Sequence, residues 1–257
     1  LILSSDLTTL PIELVIAHGQ VMAENGKLVV ELPKFTYPEF ARNTVHVGRT
    51  LGAKDFEIAA PKGANKVEAR VIGVIENQAP TKALQRPLVV KSGLVEMDHA
   101  NDVCQIAVVE RHRGLGTVVN AFVSGFGYNV ECAVASTVAH DSHHIIVVGT
   151  NHDDMALAAN TLSEIGGGVV VVSNGRELAR VELVVAGLMS NEPAEIVAAK
   201  AEKMIAAMKA CGCNLNNAFM QHSLLALVVI PELRISDMGL IDVRTFEKVD
   251  LFVQSSR

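Results

Sequence analysis

Between Ala139 and Ala156 the chain reads AHDSHHIIVVGTNHDDMA, setting His140, His143, His144 and His152 beside Asp141, Asp153 and Asp154. Four of the nine histidines of the protein fall in this one segment. An imidazole next to a carboxylate is suited to proton transfer near neutral pH, because the carboxylate fixes the tautomer and raises the basicity of the ring. His140 and His143 lie three apart, which brings them to one face of a helical turn but to opposite faces of a strand. The β-branched run HHIIVVG predicts a strand, so HDSHH is placed on the turn entering it, where polar side chains can converge on a pocket. A metal site needs at least three well-placed donors, and one short segment seldom supplies them. No metal ligand is therefore assigned here. A purely passive cluster is disfavoured too, because burying several ionisable groups is costly unless each is paired.

A second polar group, Glu110-Arg111-His112, ends an apolar strand and opens into the glycine-bearing RGLG. Strand ends that open into such loops are where α/β proteins place ligand contacts, although a surface salt bridge fits the same residues. Asp153 and Asp154 are read as helix-start residues, and Gly166 to Gly168 as a helix end followed by a strand entry. Neither a GxGxxG nor a Walker pattern is present to cradle phosphates, and there is no GxSxG nucleophile turn. Cys211-Gly-Cys213 also lacks the CxxC spacing of the cytidine-type zinc deaminases.

These groups need elements to hold them. Asn25-Gly26 and His18-Gly19 mark hairpin turns between short apolar runs within residues 1–33. Residues 34–65 carry the polar, proline-bearing FTYPEFARNTV and are expected to link to a second unit at 66–257. There KVEARVIGVI, RPLVVKSGLVE, DVCQIAVVER and HHIIVVG predict strands, and GVVVVSNGRELARVELVVAG predicts a hairpin across Asn174-Gly175. DDMALAANTLSEIGGG and PAEIVAAKAEKMIAAMKACG predict helices. GLGTVVNAFVSGFG and CAVASTVAH are compatible with either strand or helix. The expected class is α/β to α+β, a layered mixed sheet with helices.

The 257 residues, 49% of them hydrophobic, are enough to bury a large core. A formal charge of −6 without a basic run argues against a nucleic-acid partner. No apolar run approaches the roughly 18 residues that span a bilayer, so no membrane partner is expected. Cys104, Cys132, Cys211 and Cys213 match no disulfide framework and are read as reduced core thiols of a cytoplasmic protein. The chain begins at Leu1, and a fragment or processed chain is expected.

The run from VVERHRGLGTVVNAFVSGFG through AHDSHHIIVVGTNHDDMA to GGGVVVV, followed by AGLMS and LALVVIPELRISDMGLIDV, resembles the C-terminal domain of bacterial adenine deaminases. The similarity extends from about Lys66 to Val253. The opening SSDLTTLPIELVIAHGQVMAENGKLV resembles the closing β-sandwich strands of the amidohydrolase superfamily. The resemblance implies a fragment lacking the metal-binding barrel, and an enzyme of purine salvage that hydrolyses adenine to hypoxanthine and ammonia. It implies a divalent metal, Mn, Fe or Zn, bound mainly by that barrel, with adenine as the small-molecule partner and a homodimer or higher homo-oligomer. It carries His140, Asp141 and His143 over as catalytic residues, and Glu110, Arg111, His112 and Ser142 as substrate-binding ones. Where His144 stands, the family pattern leads one to expect Asn. A non-catalytic scaffold or dimerisation domain of an amidohydrolase is the alternative.

Overall fold

The computed structural model describes residues 1–33 and 35–253, which divide into a small unit, Leu1–Tyr37, and a large one from Pro38 onward. The small unit is an antiparallel sheet of β1 (Ile2–Leu3), β2 (Leu14–Ala17), β3 (Gln20–Glu24) and β4 (Lys27–Leu28) in that order. His18 and Gly19 (φ 50° and 75°), like Asn25 and Gly26 (φ 50° and 75°), have the paired positive φ of tight hairpin turns. None of its described residues is buried, and Leu1, Ile2, Leu7, Leu28 and Phe35 stand exposed.

In the large unit nine strands form one sheet. They are β5 (Lys66–Val74), β6 (Thr81–Lys91), β7 (Leu94–Val95), β8 (Val103–Val109), β9 (Val118–Ser124), β10 (Cys132–Ser136), β11 (Ile145–Gly149), β12 (Gly168–Ser173) and β13 (Arg176–Glu182). Their order is β13-β12-β10-β11-β8-β9-β5-β6-β7, and every pair is antiparallel except β5 with β9. Every residue of β8, β10 and β11 is buried. Both faces of these strands are covered, which explains their unbroken apolar runs. The two segments that fitted either state are strands β9 and β10, their β-branched residues finding neighbours on both sides.

Among the described residues the α-helices are α1 (Glu39–Arg42), α2 (His152–Ile165), α3 (Ala194–Ala210) and α4 (Ala218–Ser223). Met155, Ala158, Ala159 and Leu162 of α2 pack on Ala107, Val109, Ala133, Ile145 and Val147 on one sheet face. On the other face Met204 and Met208 of α3, with Leu225, Leu233 and Ile235, cover Ile106, Val108, Val134, Ile146 and Val171. The second cover includes a small sheet of β14 (Leu233–Ser236), β15 (Gly239–Asp242) and β16 (Glu247–Val249). The result is a layered mixed sheet with helices on both faces, as expected from sequence. Among the described residues no helix is long and apolar enough to cross a membrane. All four cysteines are buried and unbridged.

One local expectation is revised, and one, the reading of Asp153 and Asp154 as helix-start residues, holds with a refinement. Residues 38–65 do not form an extended linker: Val45, Val47, Leu51, Phe56 and Ile58 are buried, and the His46 N–H donates to Arg111 O at 2.8 Å. The polar spacers in this stretch concealed an apolar set that covers the sheet. At the start of α2, Asn151 is the capping residue, accepting the Asp154 N–H at 2.8 Å. Asp154 is buried and braces the β12–β13 turn, accepting the N–H groups of Asn174 at 3.0 Å and Gly175 at 2.7 Å.

Beneath the sheet, His222 of α4 is fully buried, and its Nε2 donates to Val134 O at 3.2 Å. Its Nδ1 has no partner among the described residues, and burial pushes the imidazole pKa down from 6.5 to about 4. Between these values the unfolded chain takes up a proton that the folded one refuses. Stability is therefore complete above pH 6.5 and lost as pH falls toward 4, by roughly 3 kcal/mol over the interval. Urea titrations at pH 7.5 and 5 should show about 2 kcal/mol of this loss for the parent chain and a clearly smaller one for His222→Gln.

Candidate functional site

The HDSH turn joins β10 to β11. The His143 N–H donates to Ala139 O at 2.7 Å, and His143 itself adopts φ 51°, so the chain reverses tightly before entering the strand. The His140 N–H donates to Ser223 O at 3.0 Å, which fixes the turn to the end of α4.

Two of its carbonyls, those of Ser142 and His143, are held from the end of β8. Arg111 is 2% exposed and donates through Nε to His143 O. The same guanidinium donates to Thr44 O at 2.9 Å and to Ala186 O at 3.2 Å. One planar cation thus ties together three segments distant in sequence, using the fixed fork geometry that a lysine lacks. His112 Nε2 donates to Ser142 O at 2.7 Å. The Glu110 carboxylate accepts from the backbone N–H groups of His112, Arg113 (2.8 Å) and Leu115 (3.1 Å), which shapes the loop after the strand. Burial pushes the Glu110 carboxyl upward, but those three N–H groups outweigh it and hold the group below its usual range.

The seven sequence-predicted residues therefore meet at one end of the sheet, in two different settings. Glu110, Arg111 and the Nε2 of His112, expected at the substrate, are engaged with backbone: Arg111 and His112 hold the turn, and Glu110 shapes the loop that follows them. Asp141 and Ser142 are exposed, and they border a cleft of about 330 Å³ floored by Ala226, Val228, Ile241, Met238 and Phe246. The His140 side chain is 35% exposed, with Nδ1 4.0 Å from Asp141 Oδ1. His143 sits edge-on to His140 at 5.1 Å between ring centroids, and its Nδ1 accepts the Ala139 N–H at 3.3 Å. Burial foremost, with help from the neighbouring His140 and Arg111, pushes the His143 pKa down and favours the neutral ring. Asp141 is exposed and His140 partly so, while the His143 ring is anchored to the Ala139 N–H.

The sequence cluster is split by the fold. His152 lies beyond the far end of β11, roughly 15 Å away by strand rise, where its Nε2 donates to Gln105 Oε1 at 3.0 Å. In its place the structure brings in Asp237, from the distant RISDMGLIDV, whose Oδ2 is 3.7 Å from His144 Nε2. The only sequence signal for this partner was an acidic residue in a turn between short strands. Among the described residues no group of three or more His, Cys, Asp or Glu is placed to hold a metal ion. The residues here do not fit the divalent metal that the resemblance implies.

A mixed sheet whose strand-end loops carry a histidine–aspartate turn, gripped by a buried arginine, defines an α+β domain with its polar site built from loops. Residues 78–247 match the adenine deaminase C-terminal domain, and the chain belongs to that family. It is 68% identical to adenine deaminase of Ruegeria pomeroyi over 97% of this chain, and 65% identical to adenine deaminase 3 of Rhizobium meliloti over 99%. Adenine deaminase of Moorella thermoacetica is 44% identical over 96% of the chain. The chain spans 42% of the length of the first two relatives and 41% of the third.

Arg111 also fixes the residue opposite it. A Cβ added to Gly187, at φ 71°, would come within 2.9 to 3.1 Å of the guanidinium. Arg111→Met, which strands three carbonyls, should lower stability by about 3 kcal/mol or more. Arg111→Lys should recover only part of it, since an ammonium cannot reproduce the fork. Urea unfolding of the two variants beside Gly187→Ala checks the ranking, with Gly187→Ala also destabilising.

Proposed function

We propose that this chain is the C-terminal part of a metal-dependent adenine deaminase, converting adenine and water to hypoxanthine and ammonia, and that its HDSH turn helps to close the active site. The observation that carries this is the division of labour in the site: Arg111 and His112 donate to carbonyls of the turn, and Asp141 and Ser142 stand exposed at a cleft with the partly exposed His140 next to them in the chain. A turn fixed this firmly is preorganised to meet a substrate. In this role Asp141 and Ser142 contact the purine edge, His140 moves a proton to or from it, and His143 keeps His140 in place. The metal, manganese, iron or zinc, is held by parts of the enzyme outside these 257 residues, and the fragment alone is inactive.

The relatives named adenine deaminase support the reaction, and their greater length leaves room for a barrel. The small unit supports the same placement as the end of an amidohydrolase β-sandwich, since its four strands bury none of their described residues and expose Leu1, Ile2 and Leu28. We place the enzyme in cytoplasmic purine salvage as a homodimer or higher homo-oligomer. The backbone engagement of Glu110, Arg111 and His112 favours a second reading, a scaffold or dimerisation domain whose polar cluster only stabilises the fold.

His140→Ala and Asp141→Asn in the full-length enzyme separate the two. Participation in the site predicts that kcat/KM for adenine falls by about tenfold or more per folded active site, with melting temperature nearly unchanged. A lowered melting temperature or dissociation of the oligomer, with the rate per folded site intact, would assign the cluster to the scaffold.

A further inference from the structure

His144 is the most enclosed imidazole of the site. It is 7% exposed, and its Nδ1 is buried without a partner. Its ring leans on His112 with centroids 4.7 Å apart. Among the described residues the one charged group at its Nε2 is Asp237, with Oδ2 at 3.7 Å, an electrostatic pairing too long for a direct hydrogen bond. Asp237 occupies the turn between β14 and β15, and that turn is braced internally: the Met238 N–H donates to Ser236 Oγ at 3.1 Å, and the Ser236 hydroxyl donates to Gly239 O at 3.3 Å. Beyond His144 the chain of contacts continues through His112 Nε2 to the carbonyl of Ser142. Asp237, Ser142 and Asp141 then meet again as the polar rim of the cleft.

We propose that Asp237 is a further positioning residue of this site: its carboxylate holds His144 against His112, and through His112 it sets where Ser142 and Asp141 stand at the cleft. This rests on the reading of the HDSH turn as part of the active site. An unpartnered Nδ1 gives His144 no other polar anchor among the described residues, so the Asp237 charge selects the tautomer with the proton on Nε2 and keeps the ring in place. Neither neighbour in sequence can do this, because the Ser236 hydroxyl is engaged within the turn and Met238 carries no charge. The acidic residue of the RISDMGLIDV block thus acts at a site assembled from ERH and HDSH.

A double-mutant cycle in the full-length enzyme tests it, with Asp237→Ala, Asp237→Glu, His144→Ala and the double variant Asp237→Ala/His144→Ala. Asp237→Ala should lower kcat for adenine by about tenfold while KM changes much less, and Asp237→Glu should restore part of the rate. In the His144→Ala background Asp237→Ala should have no further effect, because its influence passes through that ring. In parallel, hydrogen–deuterium exchange of residues 139–144 should quicken in Asp237→Ala but not further in the double variant. This arm needs no turnover. Full additivity, or unchanged kcat and exchange in Asp237→Ala, would overturn the assignment even where His140→Ala has slowed the enzyme. Absence of adenine turnover in the parent enzyme would instead count against the proposed function, with the exchange arm still deciding on Asp237.

Discussion

The guanidinium of Arg111 is the point on which the site depends. It is a buried cation that forms no ion pair among the described residues, and burial alone pushes its pKa down. Its charge is spread over carbonyls from the arm before the sheet (Thr44), the HDSH turn (His143) and the loop after β13 (Ala186). Desolvating an arginine in this way is unfavourable unless every donor direction is used. The surrounding chain obliges: Gly187 supplies a backbone without a Cβ where one would collide with the guanidinium, and Gly167 lets that loop approach closely. Holding the turn therefore required glycines and an arm far from it in sequence.

The same device appears a second time. Arg234 is 1% exposed and donates to the carbonyls of Ile230, Leu224 and Ala79, joining the segment after α4 to the start of β6. Burial lowers its pKa to about 10, leaving it charged at neutral pH. The two arginines divide the work. Arg234 secures the cover of the sheet that carries Asp237, while Arg111 secures the turn that faces it. Between them the β14–β15 turn and the HDSH turn are presented to one cleft from opposite sides.

Much of this organisation was legible in the sequence, for identifiable reasons. Hairpins announced by Asn25-Gly26 and Asn174-Gly175 formed because those pairs accept positive φ, and α2 and α3 formed where apolar spacing, first-turn acids and a following glycine agreed. Strand β10 was ambiguous because burial on both faces erases the alternation that distinguishes a strand, and β9 because its glycine-flanked apolar spacing also permits a helix. The arm at residues 38–65 was misjudged because its apolar residues are interrupted by polar ones. In the site, the convergence of ERH and HDSH was legible, but the direction of their contacts was not. Whether Arg111 points at a ligand or at three carbonyls depends on segments that no local pattern connects. Asp237 was hidden for the same reason, and His152 looked like a member of the cluster only because a short strand separates it in space while barely separating it in sequence.

The central claim is that the exposed edge of this fixed turn faces the purine in the intact enzyme. Hydrogen–deuterium exchange of the full-length protein with and without saturating hypoxanthine tests it directly. The account predicts that residues 139–144 and 236–239 gain protection on binding, while the Arg234-held segment around Ile230 does not. Unchanged exchange at both turns, with binding verified independently, would contradict it.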